Sequence, residues 1–111
     1  MSEQIYIIGD VHGCFNTLLE LIKQFPKKEK SQICFVGDVI DRGLFSCDVV
    51  ELIMQNDYKM VMGNHERRLL SNKFEFLNNK VPFDRSWFFG NGGEATYRSY
   101  LGQSVEFKQR H

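Results

Sequence analysis

The sequence has no surplus charge of either sign, since 14 Lys and Arg offset 14 Asp and Glu across 111 residues. Bulk electrostatics therefore invite neither nucleic acid nor an acidic membrane surface as partner, and any phosphate recognition must be local. No apolar run approaches the roughly 20 residues of a membrane span. The start, Met1-Ser2-Glu3-Gln4, carries neither a basic region nor a leader-like apolar segment. Three cysteines, Cys14, Cys34 and Cys47, are an odd number at spacings that match no zinc module. They point to reduced thiols and a cytoplasmic location, with Cys34 buried in a strand. Low-complexity segments are missing too. What is left is ordinary globular composition, 42% hydrophobic and 25% charged, in a chain that fits one domain, residues 1–111.

Against that plain background one pattern recurs three times. Gln4-Ile5-Tyr6-Ile7-Ile8 runs into Gly9-Asp10-Val11-His12-Gly13. Gln32-Ile33-Cys34-Phe35-Val36 runs into Gly37-Asp38-Val39-Ile40-Asp41-Arg42-Gly43, and Tyr58-Lys59-Met60-Val61-Met62 runs into Gly63-Asn64-His65-Glu66. Each apolar run reads as a buried strand, and each ends in a glycine followed at once by a side-chain oxygen able to bind metal. One such loop alone is equally well a solvated turn in which Asp41 and Arg42 cap the next helix. Three in register argue for chemistry.

Between the strands the spacing is helical. Phe15, Leu18, Leu19, Leu21, Ile22 and Phe25 form one apolar face, with Asn16 as N-cap and Pro26 as stop. Lys27-Lys28-Glu29-Lys30 follows as an exposed connector. Ser46 caps a second helix through Val49, Val50, Leu52, Ile53 and Met54, which ends at Asn56-Asp57. The result is a βαβαβ unit with right-handed crossovers and parallel strands, which brings all three loops to one sheet edge. A short helix starts near His65, the aromatic stretch from Phe74 to Phe89 is core packing before it is a substrate platform, and Gly90-Asn91-Gly92-Gly93 precedes another helix through Ala95, Tyr97 and Tyr100. The polar Gly102–His111 tail has the makings of one more helix.

Gathered at one edge, these side chains suit hydrolysis at phosphorus. A carboxylate shared by two divalent ions sets them roughly 3.5–4 Å apart around an activated water. Asp38, from the middle loop, is the natural bridge; Asp10 and His12 reach one ion and Asn64 the other. Mixed oxygen and imidazole donors suit manganese first, with iron and zinc as alternatives, and calcium less. His65 faces the leaving oxygen as acid, Asp41 orients its ring, and Arg42 offers a bidentate fork to phosphate. Asn64 also serves as a substrate contact or, on the plainer reading, as a helix cap. Glu66 complements the helix N-terminus by charge, and Arg67 and Arg68 are solvated or help steer an anion.

The three motifs, in this order, resemble the signature of the calcineurin-like metallophosphoesterases. The Asp41-Arg42-Gly43 ending and Gly63-Asn64-His65-Glu66 are similar to the phosphoprotein-phosphatase branch, which includes bacterial and phage serine/threonine phosphatases and diadenosine tetraphosphate hydrolases. The resemblance implies an α/β fold: the N-terminal βαβαβ half of a two-sheet α/β sandwich. It implies the same residue roles: Asp10 and His12 on the first metal, Asp38 bridging, Asn64 on the second, His65 and Asp41 as the acid and its partner, Arg42 on the phosphate. Such proteins add two histidines to the second metal from later strands, and usually a downstream arginine. Here the only histidine after His65 is His111, in a polar tail, so a second metal site built from this chain alone is half complete. The expected reading is a catalytic-domain fragment with one uncovered apolar sheet face, inclined to form a homodimer or to associate through that face. Its expected activity is hydrolysis of phosphoserine or phosphothreonine esters. The alternatives are hydrolysis of dinucleoside polyphosphates, or a catalytically incompetent piece that binds metal or phosphate.

Overall fold

A computed structural model describes residues 4–25 and 31–111. Strands β1 (Gln4–Ile8), β2 (Ser31–Phe35) and β3 (Lys59–Met60) form a parallel sheet in the order β1-β2-β3. Ile8 stands opposite Phe35, and Phe35 opposite Met60, so the strands end together. Helices α1 (Phe15–Lys23) and α2 (Ser46–Gln55) connect them, making the βαβαβ unit that the apolar spacing predicts. Helices α3 (Asn64–Ser71) and α4 (Lys73–Leu77), a π-helical turn (Ser86–Gly90), α5 (Gly93–Ser99) and α6 (Val105–Arg110) follow.

The strands are not buried on both faces. Because side chains alternate along a strand, Tyr6, Ile8, Ile33, Phe35 and Met60 point one way, into a core closed by Leu18 of α1, Val49 and Ile53 of α2 and Leu69 of α3. Ile5 and Ile7 point the other way and are 62% and 71% exposed. Val36 and Val61 are exposed on the same side, and Cys34 is only partly buried there. Parallel sheets are ordinarily covered on both faces; among the described residues this one is covered on one, as the resemblance implies.

Several local expectations need correction. β2 lies one residue earlier than the apolar run suggests, and β3 shrinks from five residues to two: the Val61 N–H still bonds the Phe35 carbonyl, but β2 ends there, and Val61 and Met62 are exposed. Asn16 is not a cap: α1 starts at Phe15 after Cys14, and the Phe15 and Leu18 N–H groups bond the Gly13 and Cys14 carbonyls. Ser46 is the first residue inside α2 instead of its cap, with its hydroxyl turned inward to accept the Asp41 N–H at 3.0 Å. Pro26 and the Lys27–Lys30 connector lie outside the described residues.

The aromatic stretch is divided. Phe76, Trp87 and Phe88 are buried, as core packing requires, whereas Phe74 and Phe89 are exposed and Phe83 is 90% exposed. Phe76 joins Cys47 and Tyr100 in a second cluster, flanked by Leu69, Leu77, Tyr97 and Phe107. His111 closes it, with one ring nitrogen 2.9 Å from the Tyr100 hydroxyl and the other 2.9 Å from Glu51. Both ring nitrogens are thereby engaged within the chain.

Candidate active site

Hydrogen bonds beyond the strand ends lace the three glycine-headed loops together. The Asp38 carbonyl accepts the N–H groups of Val11 and His12 at 3.2 and 3.1 Å, and the Val39 carbonyl accepts that of Gly13 at 2.7 Å. This joins the first loop to the second. The third is joined by Glu66: Oε1 accepts the N–H groups of Asp38 and Gly63 at 2.7 and 2.8 Å, and Oε2 those of Val39 and Ile40 at 2.8 and 3.3 Å. The bond to Gly63, three residues back, does what charge complementarity predicts for Glu66. Its grip on the second loop was not legible, because the partners lie 26 to 28 residues away.

The loops are held in an unfavourable backbone region. Six described non-glycine residues have positive φ, and four of them are candidate site residues: His12 (47°), Asp38 (55°), Asp41 (75°) and Arg42 (70°). Such conformations cost of order 1–3 kcal/mol each and persist where surroundings over-determine them, typically at functional sites. At Gly63 the constraint is steric, since an added Cβ would run into the Asp38 carboxylate.

Two imidazoles meet edge to face, ring centres 4.6 Å apart. His12 places Nδ1 2.9 Å from the Ile40 carbonyl. A carbonyl only accepts, so Nδ1 carries a proton, and in the neutral ring Nε2 is the free acceptor, 3.7 Å from Asp10 Oδ2. That arrangement, in which the distal nitrogen is fixed by a backbone acceptor, is the one metal-ligating histidines use. His65 Nδ1 lies 2.7 Å from Asp41 Oδ2, and its backbone N–H donates to Asp38 Oδ1 at 3.0 Å. Asp41 is fully buried and is met also by the Trp87 indole N–H and the Thr96 hydroxyl.

Asp10, Arg42 and Asn64 stay exposed at the rim. The Arg42 N–H donates to the Gly92 carbonyl at 3.0 Å, which ties its loop to the glycine-rich segment. Asn64 is the first residue of α3, not its cap, and Gly63 takes the cap position. With His65, Arg67, Arg68, Ser71 and Asn91 it lines a cleft of about 420 Å³. Arg68 is not simply solvated, since its Nε lies 3.4 Å from Asp84. Thus Asp10 stands with His12, and Asp38 and Asp41 with His65. Among the described residues, however, no three His, Cys, Asp or Glu side chains close around one point. Trp87 and Thr96 had no site role in the sequence reading; a single Trp in an aromatic stretch was the only hint.

A parallel α/β sheet whose strand-end loops gather imidazole and carboxylate at one rim defines an α/β protein with its site in the crevice beyond the strand ends. Residues 4–107 match the calcineurin-like phosphoesterase family, and the chain belongs to it. It is 37% identical over 84 residues to the serine/threonine-protein phosphatase 6 catalytic subunit of Caenorhabditis elegans, an alignment covering 70% of this chain and 25% of that protein. It is 36% identical over 78 residues to the symmetrical bis(5'-nucleosyl)-tetraphosphatase of Buchnera aphidicola, covering 68% and 28%. A solved structure of a candidate diadenosine tetraphosphatase superposes with a TM-score of 0.60 at 28% identity, over 91% of this chain and 44% of that one. A protein serine/threonine phosphatase from Saccharomyces cerevisiae gives 0.51 at 27% identity, over 95% and 33%. The chain therefore spans about a quarter of the length of these curated relatives.

Proposed function

We propose that this chain carries the phosphate-hydrolysing loops of a metal-dependent phosphoesterase, acting on phosphoserine or phosphothreonine esters. The observation that carries the reading is the pair of oriented imidazoles, His12 fixed by a carbonyl and His65 by a carboxylate, on loops tied to Asp38. Asp10, His12, Asp38 and Asn64 would hold two divalent ions, manganese being the best match to oxygen and imidazole donors and iron and zinc the next. The His12 tautomer fits that role. When bound, the ions would supply a water ionised near neutral pH and polarise the phosphoryl group.

The other steps belong to side chains. Arg42, exposed at the rim, orients phosphate oxygens through its planar fork. Asn64 shares that cleft with His65. Asp41 accepts from His65 Nδ1, leaving Nε2 to deliver a proton to the leaving oxygen.

A second reading, hydrolysis of dinucleoside polyphosphates, is favoured by the better superposition on the candidate diadenosine tetraphosphatase. Initial rates on a phosphopeptide and on diadenosine tetraphosphate, with manganese, separate the two. Asp38→Asn should abolish turnover of 4-nitrophenyl phosphate. His65→Asn should lower it about 10²- to 10⁴-fold while metal content is kept. Unchanged turnover in His65→Asn would remove His65 as the acid. A wild-type chain that binds metal yet turns over neither substrate would favour the third reading, a metal- or phosphate-binding piece.

A further inference from the structure

The buried Asp41 carboxylate is over-supplied with donors from a part of the chain that carries no candidate catalytic group. Its Oδ2 accepts the indole N–H of Trp87 besides facing His65 Nδ1, and its Oδ1 accepts the Thr96 hydroxyl. Thr96 Oγ1 in turn accepts the Asp41 backbone N–H at 2.8 Å. Thr96 thus holds both the main chain and the carboxylate of a residue at φ 75°. An indole N–H can only donate, so Asp41 meets Trp87 and Thr96 as an acceptor, on the same carboxylate that faces His65 Nδ1.

Trp87 is itself held in place for this contact. It lies in the π-helical turn, a form that recurs at functional sites, and its backbone N–H donates to Asp84 Oδ1 at 3.1 Å. Gly93 lies flat against the indole: an added Cβ there would come within 2.6 Å of Cε2. A fully buried indole N–H needs an acceptor. Here it is aimed at a carboxylate 46 residues away.

We infer that Trp87 and Thr96 are positioning residues for the proton donor, acting through Asp41 to fix the tautomer and direction of the His65 ring. The inference rests on the reading of His65 as acid, and its test has a readout independent of turnover. In the ¹⁵N-labelled, metal-free full chain, the His65 Nδ1–H gives a downfield resonance protected from solvent exchange. The chain has one tryptophan, so the Trp87 indole N–H is read without ambiguity in the same spectrum.

Thr96→Val and Trp87→Phe should lose the His65 resonance to exchange while the other amide signals keep their dispersion, and Thr96→Ser, which retains the hydroxyl, should restore it. With manganese and 4-nitrophenyl phosphate, Thr96→Val and Trp87→Phe should lower kcat about 10- to 100-fold, the usual cost of removing a supporting partner, with KM within about twofold. Thr96→Ser should again recover. Folded Thr96→Val and Trp87→Phe chains that keep the His65 resonance would overturn the proposal. Loss of the resonance with kcat unchanged would uphold the clamp and overturn His65 as the acid.

Discussion

Residues 4–71 and residues 72–111 are built on different principles. In the first part, backbone bonds and one glutamate hold the loops, and the fully buried residues beneath them are aliphatic apart from Phe35 (Ile8, Leu18, Ile33, Val39, Val49 and Ile53 among them), with Tyr6, Phe15, Phe25 and Tyr58 only partly buried at the edge. In the second, rings meet edge to face, with Phe76 and Tyr97 5.3 Å apart, Phe76 and Tyr100 5.2 Å, and Phe88 and Tyr97 4.9 Å. The seam between them is loose, with an apolar cavity of about 390 Å³ lined by Ile53, Leu69, Leu77 and Tyr100 among others. Every candidate catalytic or metal-binding side chain comes from the first part, while the second supplies donors to Asp41. The frame sets where the groups are, and the aromatic part sets which way one of them points.

The sharpest way to break that division is at Glu66, whose carboxylate accepts four N–H groups and joins the second loop to the third. Glu66→Ala leaves four N–H groups without their acceptor. Since a buried N–H left unsatisfied costs about 1–3 kcal/mol and four lose their acceptor, a urea titration should show a large loss of stability and turnover should vanish with it. Glu66→Gln keeps one good oxygen and should fall between Glu66→Ala and wild type. A Glu66→Ala chain as stable as wild type would mean the strand packing alone sets the loops.

The same contrast explains how much was legible in the sequence. β1, the βαβαβ order and the meeting of Asp10, His12, Asp38, Asp41 and His65 at one rim follow from local signals: apolar runs of strand length, helical spacing, a glycine at each strand end. The helix caps at Asn16 and Ser46 fail because α1 already starts at Phe15 on loop backbone, and because the Ser46 hydroxyl turns inward to the Asp41 N–H instead of capping α2. β3 is shorter than its apolar run because β2 ends at Phe35, and an apolar run does not reveal where its neighbour stops. The Trp87–Asp41 and Thr96–Asp41 contacts span 46 and 55 residues. No periodicity encodes pairings at that range.

A smaller effect tests the seam through its thiol. Burial, with Asp48 and Glu51 alongside, pushes Cys47 up to about 11 from an ordinary 9.0. The folded chain therefore keeps this proton between about pH 9 and 11 while the unfolded chain releases it, so stability should decline with rising pH across that window and be unaffected below it. Urea midpoints measured from pH 8 to 11 should show the decline in wild type and a shallower one in Cys47→Ala. At pH 8, iodoacetamide should label exposed Cys14 well before Cys47. Equal labelling of the two would show that the seam opens readily.

The smallest effect lies inside the aromatic part itself. Among the described residues the Tyr97 hydroxyl is the only buried side-chain polar atom without a hydrogen-bond partner. Burial and Glu75 push its ionisation up to about 12, so the group is a neutral, dehydrated hydroxyl at physiological pH. Its ring earns its position by packing on Phe76, Trp87 and Phe88. Tyr97→Phe keeps those contacts and removes only the oxygen. Because an unsatisfied buried polar group costs about 1–3 kcal/mol, the variant should gain roughly 1 kcal/mol in a urea titration, with the Trp87 indole resonance unmoved. A loss of similar size would mean that the hydroxyl is bonded in solution. The aromatic part would then be as fully satisfied as the sheet, and the contrast between a backbone-laced frame and a packing-only cluster would no longer hold.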